Sequence, residues 1–419
     1  MLVVAWARHD AFGDPGMVPT MAAARVVPYD EALATVLAAC WPLATERVAL
    51  ADADGRVLAV SPHVAVPIPP FANSAMDGFA LRATDVPPGG ATLPLDPEVP
   101  AGTDPGPLRP GHAAPIATGG PVPDGADTIV PIEDATRTAG EVRLPGGLMP
   151  GAHVRLAGSD LPVGAAPLTP GTRIDPAAGA LLAAIGATEV EVFRRPRVAL
   201  LSTGAELVPP DAVPGPAQIR DANSTALAWA LTRAGAIVVP LGIADDEAGA
   251  LRPLLEAGLA ADMLVTSAGV SVGERDLVRS TLAELGVETR FWGIDLKPGK
   301  PVAFGTRDAV PVIALPGNPA SSLVCSTLVA EPAVRALGGV THAAPAREPA
   351  TAGGGWPAAE TRLHAVRCAL SVASERLVAT PTGDQRSHRI GSMVGADALA
   401  LIEPGRRVAP GDRVTIVRV

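Results

Sequence analysis

Three cysteines, Cys40, Cys325 and Cys368, are spread across 419 residues with no CxxC pair. Such spacing excludes a disulfide framework. The seven histidines are equally scattered and show no paired zinc spacing. Positive charge is also scarce: the formal net charge is −10, which argues against a nucleic-acid partner because phosphate backbones select basic surfaces. Mean hydropathy is +0.29, yet Gly, Pro or charge interrupts every apolar run before the roughly 18 residues a membrane helix needs. The opening MLVVAWARHD has no basic segment ahead of its apolar stretch and does not read as a signal peptide. The hydrophobicity comes from Ala and Val, which suit a packed core. The expectation is a cytoplasmic protein with no nucleic-acid and no membrane partner.

Turn-forming residues, by contrast, are abundant: 44 Gly and 45 Pro. They crowd residues 86–176 among short strand-like pieces such as DTIVPIE, which predicts a small β-rich module. Helical patterns flank it. PYDEALATVLAACWPL carries apolar residues at helical spacing after Asp30, and DPAAGALLAAIGATEVEVF offers Asp175 as N-cap, Pro176 at the first helical position and Gly186 beyond the apolar face. Two helical segments separated by a β insertion imply one discontinuous domain with a module looped out of it. From Pro196 to Gly339 strands and helices alternate. RVALLSTG, AIVVPLGI, ADMLVTSAG and VPVIALPG read as strands, and DANSTALAWALTRAG as a helix capped by Asp221 or Asn223 and stopped by Gly235. Asn318 and Pro319 read as cap and first residue of a further helix. This alternation predicts a mostly parallel sheet covered on both faces. The last stretch returns to short strands and turns, a small barrel or sandwich.

The expected layout is therefore a multidomain α/β plus β chain. Residues 22–60 and 161–195 form a discontinuous helical linking domain, 61–160 an inserted β-rich domain, 196–340 a three-layer α/β domain, and 345–419 a C-terminal β-barrel-like domain.

In open α/β sheets ligands collect at the carboxyl ends of strands. Four turns fall there: STGAEL (202–207), SAGVSVGERD (267–276), LKPGKP (296–301) and LPGNPASS (315–322). Their glycines allow close backbone approach, and helix starts favour negative charge. The candidate ligand positions are Thr203 and Gly204; Gly269, Ser271 and Gly273; Pro298 and Gly299; Pro316, Gly317, Asn318 and Ser321. Lys297 and Lys300 add full positive charges on a loop stiffened by Pro298 and Pro301, a pattern suited to phosphate or another tetrahedral oxyanion. Glu206, Asp246 and Asp276 stand at the same edge. Carboxylates beside a phosphate site repel the ligand unless a cation bridges them, and Mg²⁺ is the natural one. Neither GxxxxGK[ST] nor GxGxxG occurs, so P-loop and dinucleotide fingerprints are absent.

Taken together, these loops resemble the molybdopterin molybdenumtransferase family (MoeA, the bacterial counterpart of the gephyrin E domain). The resemblance runs from about residue 22 to 419 and includes PPFANSAMDGFALRATD (69–85), IATGGPVPDGADTIVPIED (116–134), VRLAGSDLPVGA (154–165), ALLSTGAELV (199–208) and QIRDANS (218–224), besides the turns above. The first ~20 residues fall outside it, as an extension or an early start at Met1 rather than Met21.

The resemblance implies four domains and an elongated homodimer with its cleft at the subunit interface. It implies insertion of molybdate, as substrate, into adenylylated molybdopterin, with AMP released and Mg²⁺ present. On that reading Lys297 and Lys300 hold molybdate or the phosphates of the pterin, assisted by Ser321. Glu206, Asp246 and Asp276 hold Mg²⁺ or orient water, and Asp77 and Asp160 position pterin and metal. Arg362, Ser387 and Ser392 match positions of the C-terminal domain that the family uses less uniformly. The alternatives are a molybdopterin adenylyltransferase and a non-catalytic cofactor-binding scaffold of the same fold; tungstate in place of molybdate is a further variant.

The chain departs from the family pattern at Ala72, Ser159, Ala205 and Ala268. The last replaces a glycine, and a methyl group is expected there only if φ is negative.

Overall fold

Alternation along one strand decides how the central sheet is covered. In Arg197–Thr203, Val198 and Leu200 are buried with Leu227, Leu231, Val324 and Leu328, whereas Ala199 and Leu201 are buried with Leu251, Leu255, Val278 and Leu282. Successive strand residues point to opposite faces, so a strand apolar on both parities must be sandwiched between helices. Each fully buried leucine stabilises such a core by about 1.5–3 kcal/mol. The computed structural model describes residues 25–99, 102–244, 248–269 and 277–419.

The chain divides into two units: Met1–Leu43, Arg195–Gly338 and His342–Val419 in one, Ala44–Arg194 with Gly339–Thr341 in the other. In the first unit the sheet runs Ile237–Ala244, Arg197–Thr203, Met263–Ser267, Val310–Leu315, Ala303–Arg307, Glu288–Trp292. The first four strands pair parallel, and the last two join by antiparallel pairings, so that only Ala303–Arg307 runs against the rest. Helices Ala222–Arg233 and Pro319–Cys325 cover one face, Ala248–Gly258 and Leu277–Glu284 the other. Asp221 proves to be the cap of the Ala222–Arg233 helix, its Oδ1 accepting from the Ser224 N–H at 3.0 Å. A π-helical turn, Ser326–Ala330, joins Pro319–Cys325 to Glu331–Leu337, where Pro332 lacks the N–H a continuous ladder would need. Helix Tyr29–Ala38, placed by the sequence at the start of the linking domain, buries Tyr29, Ala32, Leu33 and Val36 in this unit's core.

The C-terminal strands close on themselves. Leu363–Ala373, Arg376–Pro381, Glu348–Ala352, Arg413–Arg418 and Ala398–Ile402 form a ring, the last pairing back with the first. Its interior is built largely of small residues, with Ala350, Ala352, Ala379, Ala398 and Ala400 beside Val366 and Ile416; five strands leave little internal width. A two-residue strand, Leu296–Lys297, adds to the barrel parallel to Leu363–Ala373. The sequence showed the prolines of that turn but not this pairing.

The second unit holds two three-stranded sheets, with Gly78–Leu81 and Glu141–Leu144 as their central strands, and a two-stranded ribbon, Thr45–Ala49 with Glu189–Phe193. Its helix Pro176–Ala184 is capped by Asp175, whose Oδ1 accepts from the Ala178 N–H at 2.8 Å. Gly186, at φ +81°, closes it.

Candidate functional site

Three turns predicted to bind an anion emerge from adjacent strands. The ladder pairs Ser202 with Ser267 and Ser267 with Leu315, so the segments after them leave the sheet side by side. Asn223, not needed as a cap, stitches the last two: its Nδ2 donates to Ser267 Oγ at 2.9 Å and to the Gly317 carbonyl at 2.8 Å. The Ala268 N–H donates to the Leu315 carbonyl at 3.0 Å. A Cβ on Gly269 would lie 2.2 Å from Val278 Cγ2 and 3.1 Å from Thr203 Oγ1, so this glycine is required by close approach as well as by its φ of +73°. Gly317 is less crowded, its notional Cβ 3.2 Å from that of Ala268.

Ala268 overturns an expectation. Its φ is +73°, in the left-handed region, although a methyl group was expected only at negative φ. An L-residue there carries about 1–2 kcal/mol of strain, and the Asn223 stitching and the Leu315 hydrogen bond hold it. Asn318 meets its expectation in position only. It occupies the N-cap position of Pro319–Cys325 but makes no side-chain cap; its Nδ2 turns instead to Ser387 Oγ of the barrel, 3.3 Å away.

The lysine turn meets this cluster through the same helix. A Cβ on Gly299, at φ +117°, would lie 2.2 Å from Cys325 Sγ, while Pro298 is buried and Ser321 is buried one turn earlier. The helix is short, so Cys325 lies about 10 Å along its axis from Asn318. Lys300 is exposed and, among the described residues, has no ion-pair partner. Lys297 is half-buried and its Nζ is paired with Glu360. Arg362 Nη1 donates to the Leu296 carbonyl at 3.0 Å, holding the turn from the barrel side. Sequence reasoning missed Glu360, 63 residues from its partner; no local motif announces it.

His364, paired in register with Lys297, is another residue the sequence did not single out. It is 3% exposed, and its Nε2 has no partner. Burial, reinforced by the Lys297 charge and opposed by Glu360, pushes its pKa down from 6.5 to about 4. Between those values the unfolded chain binds more protons, so the stabilisation is fully present above about pH 6.5 and is lost as pH falls toward 4. The loss is on the order of 3 kcal/mol. Denaturant unfolding of the wild type should weaken across that window, and His364→Leu should flatten the slope; an unchanged slope would remove His364 as its cause.

Of the acidic trio, Glu206 is exposed and folds back over the preceding turn, its Oε2 2.7 Å from where a Cβ on Gly204 would lie. Asp246 and Asp276, with Ser271 and Gly273, lie outside the described residues. Among the described residues no group of three His, Cys, Asp or Glu side chains is placed to hold a metal ion. Burial pushes the thiols of Cys40 and Cys368 up to about 12 and raises that of Cys325 as well, so none is a thiolate nucleophile at neutral pH.

In the second unit, exposed Asp77 accepts from Thr118 twice, from the N–H at 2.6 Å and from Oγ1 at 2.9 Å. The backbone bond, then the hydroxyl, hold its carboxyl below the usual range. Asp160 is exposed, on a turn anchored by its own N–H to the Ile68 carbonyl at 3.0 Å. Ser392, by contrast, is spent on structure. It accepts from buried Arg367 Nε at 3.0 Å and donates to the Arg389 carbonyl at 2.6 Å.

Comparison with known proteins agrees with this architecture. Residues 27–186 match the MoeA N-terminal region (domain I and II), 199–336 the probable molybdopterin binding domain, and 349–419 the MoeA C-terminal region (domain IV). Fold and loops thus define a transferase of molybdenum cofactor biosynthesis. The chain is 39% identical over 305 residues to the molybdopterin molybdenumtransferase of Nostoc sp., covering 71% of this chain and 70% of that one. It is 32% identical over 382 residues to that of Haemophilus influenzae, covering 90% and 94%. A solved structure, the molybdopterin biosynthesis moea protein from Pyrococcus horikosii, aligns with a TM-score of 0.76 at 32% identity over 94% of this chain and 99% of that one. The chain belongs to the molybdopterin molybdenumtransferase family. No described helix is long and apolar enough to cross a membrane.

Proposed function

We propose that the protein inserts molybdate into adenylylated molybdopterin and releases AMP, acting as a cytoplasmic homodimer with Mg²⁺. The observation that carries this reading is the pairing of two anion-seeking elements: the adjacent strand ends at Thr203, Ser267 and Leu315, and the Lys297–Lys300 turn about a helix length away. A compact oxyanion fills one such element; an elongated substrate bearing phosphates, together with molybdate, uses both. The exposed Gly317 turn and the lysine ammonium groups would stabilise negative charge that grows as the phosphoric anhydride is cleaved. With no thiolate available, the chemistry rests on electrostatics and positioning.

Glu206 fits the requirement of a hard cation for carboxylate oxygen, being exposed at the strand edge without an ion pair among the described residues. It would supply one ligand to Mg²⁺, whose chemistry when bound is to neutralise phosphate oxygens. Asp77, kept anionic by Thr118, is suited to orient a hydrogen-bond donor of the substrate.

The test is release of AMP from adenylylated molybdopterin on adding molybdate, with and without Mg²⁺. Molybdate-dependent release supports the reading. Consumption of ATP without such release would replace it by an adenylyltransferase, and binding without turnover by a scaffold.

A further inference from the structure

The two lysines of the turn, alike in sequence, are in different electrostatic states. Lys300 is exposed and unpaired among the described residues, whereas Lys297 already has an anion: Glu360. Their side chains retain only 33% and 28% of their exposure, so the pair is screened by water less than a surface one. Both partners are held from several sides. Lys297 lies on the two-residue strand paired to Leu363 and His364, and Arg362 grips the carbonyl just before it at 3.0 Å. The Glu360 backbone carbonyl accepts from the Gly405 N–H at 2.7 Å. His364, buried beside the pair and kept neutral, brings no charge that would compete for Glu360.

From this juxtaposition we infer that Glu360 is a built-in counterion of Lys297 that an incoming oxyanion must displace. It is a positioning residue, supplied by the C-terminal domain, that holds the ammonium in place while the site is empty. The inference rests on the reading of the lysine turn as an anion site. Lys300 meets the anion first; Lys297 is released to it when the Glu360 carboxylate swings away. The arrangement favours a ligand with more than one negative charge, because a monoanion would merely exchange one carboxylate for another of equal charge.

The consequence is opposite to that of removing a binding residue. Glu360→Gln keeps the shape and deletes the charge, so the full-length protein should bind molybdate about fivefold more tightly at low salt, the worth of a partly exposed ion pair. The gain should shrink in high salt. Glu360→Asp retains the charge and should stay within about twofold of the wild type on the same ground. Molybdate affinity is read by calorimetry on folded protein, beside Lys297→Ala. Unchanged or weaker binding by Glu360→Gln, or equal tightening by Glu360→Asp, overturns the counterion role. If Lys297→Ala binds molybdate like the wild type, it is the underlying anion site that fails. Should Glu360→Gln not fold, Glu360→Ala combined with the salt dependence of the wild type decides: affinity that does not change with salt sinks the proposal.

Discussion

Lys297→Ala is expected to lower molybdate-dependent AMP release by about 10²–10³-fold, the usual effect of deleting one preorganised stabiliser of transition-state charge. The loss has two parts. The ammonium that stabilises developing oxyanion charge is gone, and Glu360, half-buried without its partner, is left to repel the substrate. Lys300→Ala should act more weakly, by about fivefold or less and mainly through KM, because an exposed charge is screened and contributes about 1 kcal/mol or less. Steady-state kinetics of both variants check the ordering. Equal losses would mean that exposure does not distinguish the two lysines, and wild-type release by Lys297→Ala would remove it from the mechanism.

Gly299→Ala is expected to be the most disruptive small change in the turn. At φ +117° any L-side chain is strained, and the added methyl would lie 2.2 Å from Cys325 Sγ. Backbone strain and overpacking each contribute about 1–3 kcal/mol, so the variant should lose about 4 kcal/mol of stability. The turn cannot give way cheaply, because Pro298 is buried on one side and Leu296 is tied to Arg362 on the other. Cys325→Ala removes the struck sulfur, so the double variant should recover part of the stability, while the φ strain remains. Denaturant unfolding of the two single variants and the double variant forms a cycle; purely additive losses would show that the methyl and the sulfur do not meet.

Much of this molecule could be read from local signals. RVALLSTG read as a strand, and the alternation of strands and helices around it called for a mostly parallel sheet covered on both faces; Arg197–Thr203 is such a strand. Asp175 and Asp221 sit where caps were expected and accept from the N–H groups three residues on. The glycine turns at strand ends stand together because neighbouring parallel strands end together. Such features depend on hydrogen bonds and sterics a few residues long, and a sequence encodes those directly. Asn318 takes the N-cap position expected of it, but its side chain does not cap, because a barrel hydroxyl 69 residues away took its amide.

The amino-acid sequence by itself determined the family, the domain types, the glycine turns and the two lysines of LKPGKP. Only the tertiary structure decided that Lys297 is paired and Lys300, among the described residues, is not, that His364 is buried neutral beside Lys297, and that Ala268 sits left-handed. The reason is range. Charge state and strain depend on which distant segment the folded sheets bring within a few ångströms, and Coulombic and desolvation energies at that distance outweigh any preference the residue has alone.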